Sequence, residues 1–144
     1  MIKKLHFQLL ILLTCNILIS QEFQTNHNLQ ITVKKFENIK GELRVCLIDK
    51  KEDFLKPYCI NGKVVTVTND SVSLEIVNLK TGIYSISVFH DENSNGILDT
   101  KGLFGIPSEP YGFSNNPNTR FGPPGFEKCT FLINKEKQIS IELH

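Results

Sequence analysis

The chain has 144 residues, 16 Lys and Arg against 15 Asp and Glu, and a formal net charge of +1 at pH 7. With charges balanced and no basic stripe, nucleic acid is not an expected partner. The length suits one domain able to bury a core without metal or disulfide support.

The N-terminus is set apart first. Met1 to Lys4 carry two lysines, Leu5 to Ile19 are almost wholly apolar, and Ser20 is small. This is the pattern of a removable secretory signal over residues 1–20, cut after Ser20 or Gln21. The apolar run is short of the ~20 residues a spanning helix needs. Cys15 lies inside that run behind Thr14, where a lipoprotein signal would place Gly, Ala or Ser, so no lipid anchor is expected. The mature part, residues 21–144, then forms a single exported domain, periplasmic or extracellular, without a membrane span.

Cleavage leaves Cys46, Cys59 and Cys129. Export permits a disulfide, and an odd count leaves one thiol unpaired or pairing between chains. Cys46 and Cys59 are nearest in sequence and form the favoured pair. The alternative is that all three are small buried apolar residues. The spacing matches neither a zinc site nor a redox CxxC motif.

From Leu29 onward the hydrophobic pattern has period two, repeatedly. Leu29, Ile31 and Val33, with Phe36 nearby, open the series. Leu43, Val45 and Leu47 follow, then Val65 and Val67, then Val72, Leu74 and Ile76. Tyr84, Ile86 and Val88 share one face of the run from Ile83 to Phe89. Phe131 and Ile133 mark a sixth run, and Ile139, Ile141 and Leu143 a last one. Alternation of this kind puts one face in a core and the other toward water. Turn signals separate the runs: Asn38 to Gly41, Asn61-Gly62, Asn69-Asp70 and Thr81-Gly82. The expected fold is all-β, an antiparallel immunoglobulin-like or transthyretin-like sandwich of about seven strands. Asp49 to Phe54 is read as a short helical turn capped by Asp49, with Phe54 folding inward. Leu79, Gly82 and Tyr84 read as L-x-x-G-x-Y, a structural corner in which the tyrosine hydroxyl bonds back to upstream backbone.

His90 to Phe126 lacks long alternation and holds most of the Pro and Gly, yet it carries five aromatics. A connection this long is functional or disordered, and its aromatics argue for order. It is expected to be one long ordered excursion over an end or edge of the sandwich. It opens with D-x-N-x-N-G-x-x-D. Asp91, Asn93 and Asn95 would point inward as oxygen ligands, Ile97 would offer its carbonyl, and Asp99 would close the arc around calcium. Position twelve of a full EF-hand loop would be Glu and is Gly102 here. Any affinity is therefore expected to be weak, on the order of 10⁻⁴ to 10⁻³ M. Glu92 or Glu109 would add a carboxylate if the chain folded back. A run of Asx turns without an ion gives the same spacing. Further on, Phe104, Tyr111, Phe113, Phe121 and Phe126 stand beside glycines. They suit either a surface for protein, peptide or glycan, or anchors that pin their own loop.

The strings F-H-D-E-N-S-N-G-I-L-D-T, G-I-P-S-E-P-Y-G-F-S-N-N and F-G-P-P-G-F-E resemble the bacterial family catalogued as domain of unknown function 2141. The resemblance runs from about Leu29 to Leu143, with Pro110 where the family pattern has Gly. It implies an exported protein with a transthyretin-like or carboxypeptidase-regulatory-like sandwich, and it implies no substrate. The expected function is a non-enzymatic binding or adaptor module with a weak calcium loop. The competing readings are a small secreted hydrolase using His90, Asp91 and Glu109, and a self-associating envelope protein. Against the hydrolase stands the absence of Gly-x-Ser-x-Gly, H-E-x-x-H and phosphate-cradling glycine motifs.

Overall fold

In a computed structural model, which describes residues 25–144, the period-two runs become strands. They are β1 (Asn26–Lys34), β2 (Glu42–Ile48), β3 (Asn61–Thr66), β4 (Ser71–Lys80), β5 (Gly82–Asp91), β9 (Thr130–Ile133) and β10 (Lys137–Glu142). The expected signal segment, its cleavage point and Cys15 lie outside the described residues. Three further short strands form within the excursion: β6 (Thr100–Lys101), β7 (Ile106–Pro107) and β8 (Tyr111–Phe113). Each is only two or three residues long, too short to leave a periodic signal in sequence.

Two sheets face each other. One has the order β10-β1-β4, and the other β3-β2-β5-β8 with β9 also on β5. Leu29, Ile31 and Val33 of the first sheet are wholly buried, as are Leu43, Leu47 and Ile86 of the second. Together with Ile76, Ile133 and Ile141 they form one continuous core. β1 and β10 run parallel, with Ile31 opposite Ile139 and Val33 opposite Ile141. This is the one parallel pair among the described strands. The chain reaches β10 from β9 in the opposite sheet, so no hairpin forces antiparallel pairing there.

Other expectations need correction. Asn61-Gly62 is not a turn. These residues open β3, opposite Leu47 and Cys46, because ladder pairing overrides a local turn preference. The predicted helical turn is a 3-10 turn, Lys51–Asp53, whose N-cap is Lys50 with no side-chain cap bond, so Asp49 does not cap it. Phe54 turns onto the outer face of the second sheet, 5.8 Å from Phe113 and 5.6 Å from Phe126, centroid to centroid.

At the corner before β5, the Tyr84 hydroxyl donates to the Lys80 carbonyl at 3.0 Å. Leu79 and Tyr84 are both buried, and a Cβ on Gly82 would stand 3.3 Å from the tyrosine ring. The two sheets also meet at one edge. Tyr111 and His144 exchange backbone hydrogen bonds at 3.3 and 3.0 Å. Beside them Gly112 passes so close to β10 that a Cβ would lie 2.7 Å from the Glu142 carbonyl oxygen. Among the described residues no helix is long and apolar enough to cross a membrane.

Candidate functional site

β5 ends by sending His90 and Asp91 to opposite faces of the second sheet. His90 points into the core with Leu43, its cross-strand partner. Its ring is wholly buried and meets Phe36 edge-on at 5.0 Å. Nε2 donates to the Lys40 carbonyl at 2.7 Å, while Nδ1 has no partner and lies 3.9 Å from Glu92 Oε1. Asp91 emerges on the outer face beneath the following loop. Its Oδ2 accepts from Arg44 Nε at 2.6 Å and from the Gly96 amide at 2.8 Å. Its Oδ1 accepts from the Asn95 amide at 3.0 Å. Burial works against this carboxylate, but the Arg44 bond and the two amides outweigh it and hold Asp91 below its ordinary range. Arg44 also binds Glu42 at 2.8 Å, so the guanidinium bridges two carboxylates.

Within the D-x-N-x-N-G-x-x-D loop, two amide groups meet the last carboxylate, while Asp91 stays on Arg44 and backbone amides. Asn93 Nδ2 donates to Asp99 Oδ2 at 2.7 Å, and Asn95 Nδ2 to Asp99 Oδ1 at 3.0 Å. The amide oxygens serve the backbone: Asn93 Oδ1 takes the Asn95 N–H at 3.0 Å, and Asn95 Oδ1 takes the Ile97 N–H at 2.9 Å. These are Asx turns, closed on Asp99. Among the described residues no group of three or more His, Cys, Asp or Glu side chains is arranged to hold a metal ion. The Ile97 side chain is exposed and faces a groove described below.

Glu109 does fold back on this loop, as a clamp. Its Oε1 accepts from the Glu92 amide at 2.9 Å and its Oε2 from the Asp99 amide at 3.0 Å. One buried carboxylate thus fixes both ends of the loop. Glu92 is held by Asn38 at 2.9 Å and Lys40 at 3.0 Å, and both partners keep its carboxyl below the usual value. His90, Asp91 and Glu109 therefore face three different sets of partners and share no common centre.

The outer face of the second sheet carries a groove whose exposed lining is mostly apolar. Its volume is about 560 Å³. Cys46, Val64, Phe89, Tyr111 and Phe113 line it together with Leu55, Pro57, Ile97 and Leu98, and so do the cations Arg44, Lys56 and Lys63. The Cys46–Cys59 disulfide, closing a separation of 13 residues, ties the Leu55–Pro57 wall to β2. Cys129 is a buried free thiol that burial pushes up to about 11, so it is unreactive at neutral pH.

The five aromatics singled out in the sequence divide. Tyr111 and Phe113 are groove walls, 5.9 Å apart edge-on. Phe126 anchors α1 (Phe126–Cys129) against Phe54. Phe104 and Phe121 are almost fully exposed. Sequence reasoning missed the residues that stitch the excursion down. Ser114 accepts from the Ile86 amide at 2.9 Å. Asn115 donates to the carbonyls of Lys128 and Thr130 at 3.2 and 2.8 Å. Asn116 bridges the Ser140 carbonyl and the Glu142 amide at 3.0 and 2.9 Å. Both asparagines have positive φ, which Asn tolerates better than most residues. Arg44 was also missed. Its only sequence signal is Glu42 two residues earlier, on the same strand face.

No curated protein and no solved structure matches this chain. A family model described as "Uncharacterized protein conserved in bacteria (DUF2141)" matches residues 31–141. The strings F-H-D-E-N-S-N-G-I-L-D-T through F-G-P-P-G-F-E lie inside that span, and the chain belongs to this conserved bacterial family.

Proposed function

We propose that the chain is an exported, non-enzymatic binding module that holds an elongated, largely apolar ligand across the outer face of its second sheet. The groove of about 560 Å³ carries this reading. An outer sheet face normally presents polar side chains to water. Here Val64 and Phe89 stand there instead, framed by a disulfide and an ordered loop. The volume falls within the ~300–1,000 Å³ common for ligand clefts. A protein segment, a peptide or a glycan presenting an apolar face would all suit this surface. The Cys46–Cys59 bond supports an oxidising compartment such as the periplasm. The separate engagements of His90, Asp91 and Glu109 support a non-catalytic role.

The test uses anilinonaphthalene sulfonate as a probe of the groove in the native state. The unmodified chain should bind it saturably, and Phe89→Ser with Ile97→Ser should abolish binding while leaving thermal unfolding nearly unchanged. Equal dye binding by both proteins would sink the reading.

A second element rests on the convergence of Asn93 and Asn95 upon Asp99. A calcium ion there would replace the two amide donors, with Asp91 Oδ1, the Asn93, Asn95 and Asp99 oxygens and the Ile97 carbonyl as ligands. Four side chains and one carbonyl fall short of calcium's six to eight oxygens, and Arg44 already holds Asp91 Oδ2. Affinity should therefore be on the order of 10⁻⁴ to 10⁻³ M. Millimolar calcium should raise the melting temperature relative to chelator in the unmodified chain and not in Asp99→Asn. An unchanged melting temperature removes calcium from the function.

A further inference from the structure

We infer that the hairpin from Thr100 to Pro107 is a membrane-contacting tip, inserting Leu103 and Phe104 into the interfacial layer of an anionic lipid surface. The hairpin is built from β6 and β7, with Thr100 opposite Pro107 and Lys101 opposite Ile106. Its turn is closed by the Gly105 amide on the Gly102 carbonyl at 3.4 Å, which puts Leu103 and Phe104 at the two corner positions. Such corners are ordinarily Pro, Asp, Asn, Ser or Gly. Leu103 is 101% exposed and Phe104 92%. Neither contributes to the core, so the fold gains nothing from having large apolar residues there. A local rule broken without structural return marks a working surface.

The surroundings decide what that surface meets. The base is fixed: the Ser108 amide binds the Asp99 carbonyl at 2.8 Å, and Glu109 holds the Asp99 amide. Ile106, on the hairpin itself, is also mostly exposed. From Thr100 to Ser108 the only charge is Lys101, and there is no carboxylate. The nearest carboxylates, Asp99 and Glu109, stand at the base of the hairpin, turned back onto the preceding loop by their bonds to Asn93, Asn95 and the Glu92 amide. A narrow convex tip with one cation and no anion complements a negatively charged, deformable apolar layer. Its apolar side chains enter the acyl boundary while the lysine stays at headgroup level. A rigid protein partner would instead need a matching pocket for two adjacent, divergent side chains.

The experiment exploits the absence of tryptophan from the chain. In the Phe104→Trp variant, the indole is the sole tryptophan reporter and sits where it touches nothing that holds the fold. Vesicles of phosphatidylcholine with a minority of phosphatidylglycerol should shift its emission to the blue, and brominated acyl chains should quench it. Leu103→Ser in the same background should lower partitioning by about tenfold. Lys101→Glu should weaken binding to the anionic vesicles but not to pure phosphatidylcholine. Thermal unfolding of all three should match the unmodified chain. Emission that stays at the exposed position at saturating lipid overturns the proposal. So does a blue shift that grows with protein concentration in the absence of lipid, which would mean that the tip docks on another copy. The groove plays no part in this test: Phe89→Ser should leave vesicle binding intact even where dye binding is lost.

Discussion

Single residues decide where this fold has no slack. Gly112 lies at the seam between the sheets, where a Cβ would meet the Glu142 carbonyl oxygen at 2.7 Å and the Ile141 side chain at 2.8 Å. Gly112→Ala should therefore cost about 1–3 kcal/mol, measured by denaturant unfolding, and backbone on one side is too stiff to yield. Asp91 is the second such position. Its carboxyl is held low in the fold by Arg44 and the amides of Gly96 and Asn95, against the effect of burial. A depressed folded-state value contributes stability above the unfolded value, about pH 4, that fades as pH falls through the lower folded value. Glu92 is shifted the same way, chiefly by its bond from Asn38. Stability should thus decline on acidification below about pH 4. Asp91→Asn should flatten that decline and lose about 1.5–3 kcal/mol at neutral pH. Unfolding curves measured from neutral to strongly acidic pH would show both effects, and an unaltered acid limb in the variant would contradict the assignment.

Elements form a second scale, where short pieces depend on distant partners. β8 is three residues long and exists because Ser87, Val88 and Phe89 of β5 offer it a ladder. The segment after it is fastened by Ser114, Asn115 and Asn116 rather than by its own periodicity. The 3-10 turn Lys51–Asp53 and the wall after it have few apolar anchors besides Phe54, so the disulfide is their main restraint. Replacing both Cys46 and Cys59 by Ala should lower stability by about 3 kcal/mol for a closed loop of this size. Because Leu55 and Pro57 line the groove, dye affinity should drop as well. A variant with full dye affinity would show that the wall is placed by other contacts.

Over the whole molecule, the strands, their inward faces and the corner at Tyr84 are legible in the sequence. Leu29, Ile31 and Val33, and likewise Tyr84, Ile86 and Val88, alternate where they are buried. The excursion was legible as ordered, because it spends aromatics on itself, but the D-x-N-x-N-G-x-x-D spacing did not say that Asn93 and Asn95 would turn their Nδ2 groups onto Asp99 and their oxygens onto the backbone. Which of those aromatics would be wall, anchor or tip was not. Phe104, Phe113 and Phe126 are chemically alike and lie in similar glycine-rich context, yet one is exposed, one buried and one half-buried. The outer face of the second sheet was equally hidden. Alternation names an inward and an outward face, but it does not say that Val64, Phe89 and Tyr111, from three strands, will join into one groove.

The sequence alone therefore determined the class of fold, because side-chain direction along a strand is a local property of the backbone with period two. Only the tertiary structure decided that β1 and β10 run parallel, that Glu109 clamps a loop beginning 17 residues before it, and that Arg44 rather than a second carboxylate sits on Asp91. Each of those depends on pairings between segments far apart in the chain. Such pairings are fixed by the packing of the complete core, and no local pattern encodes them.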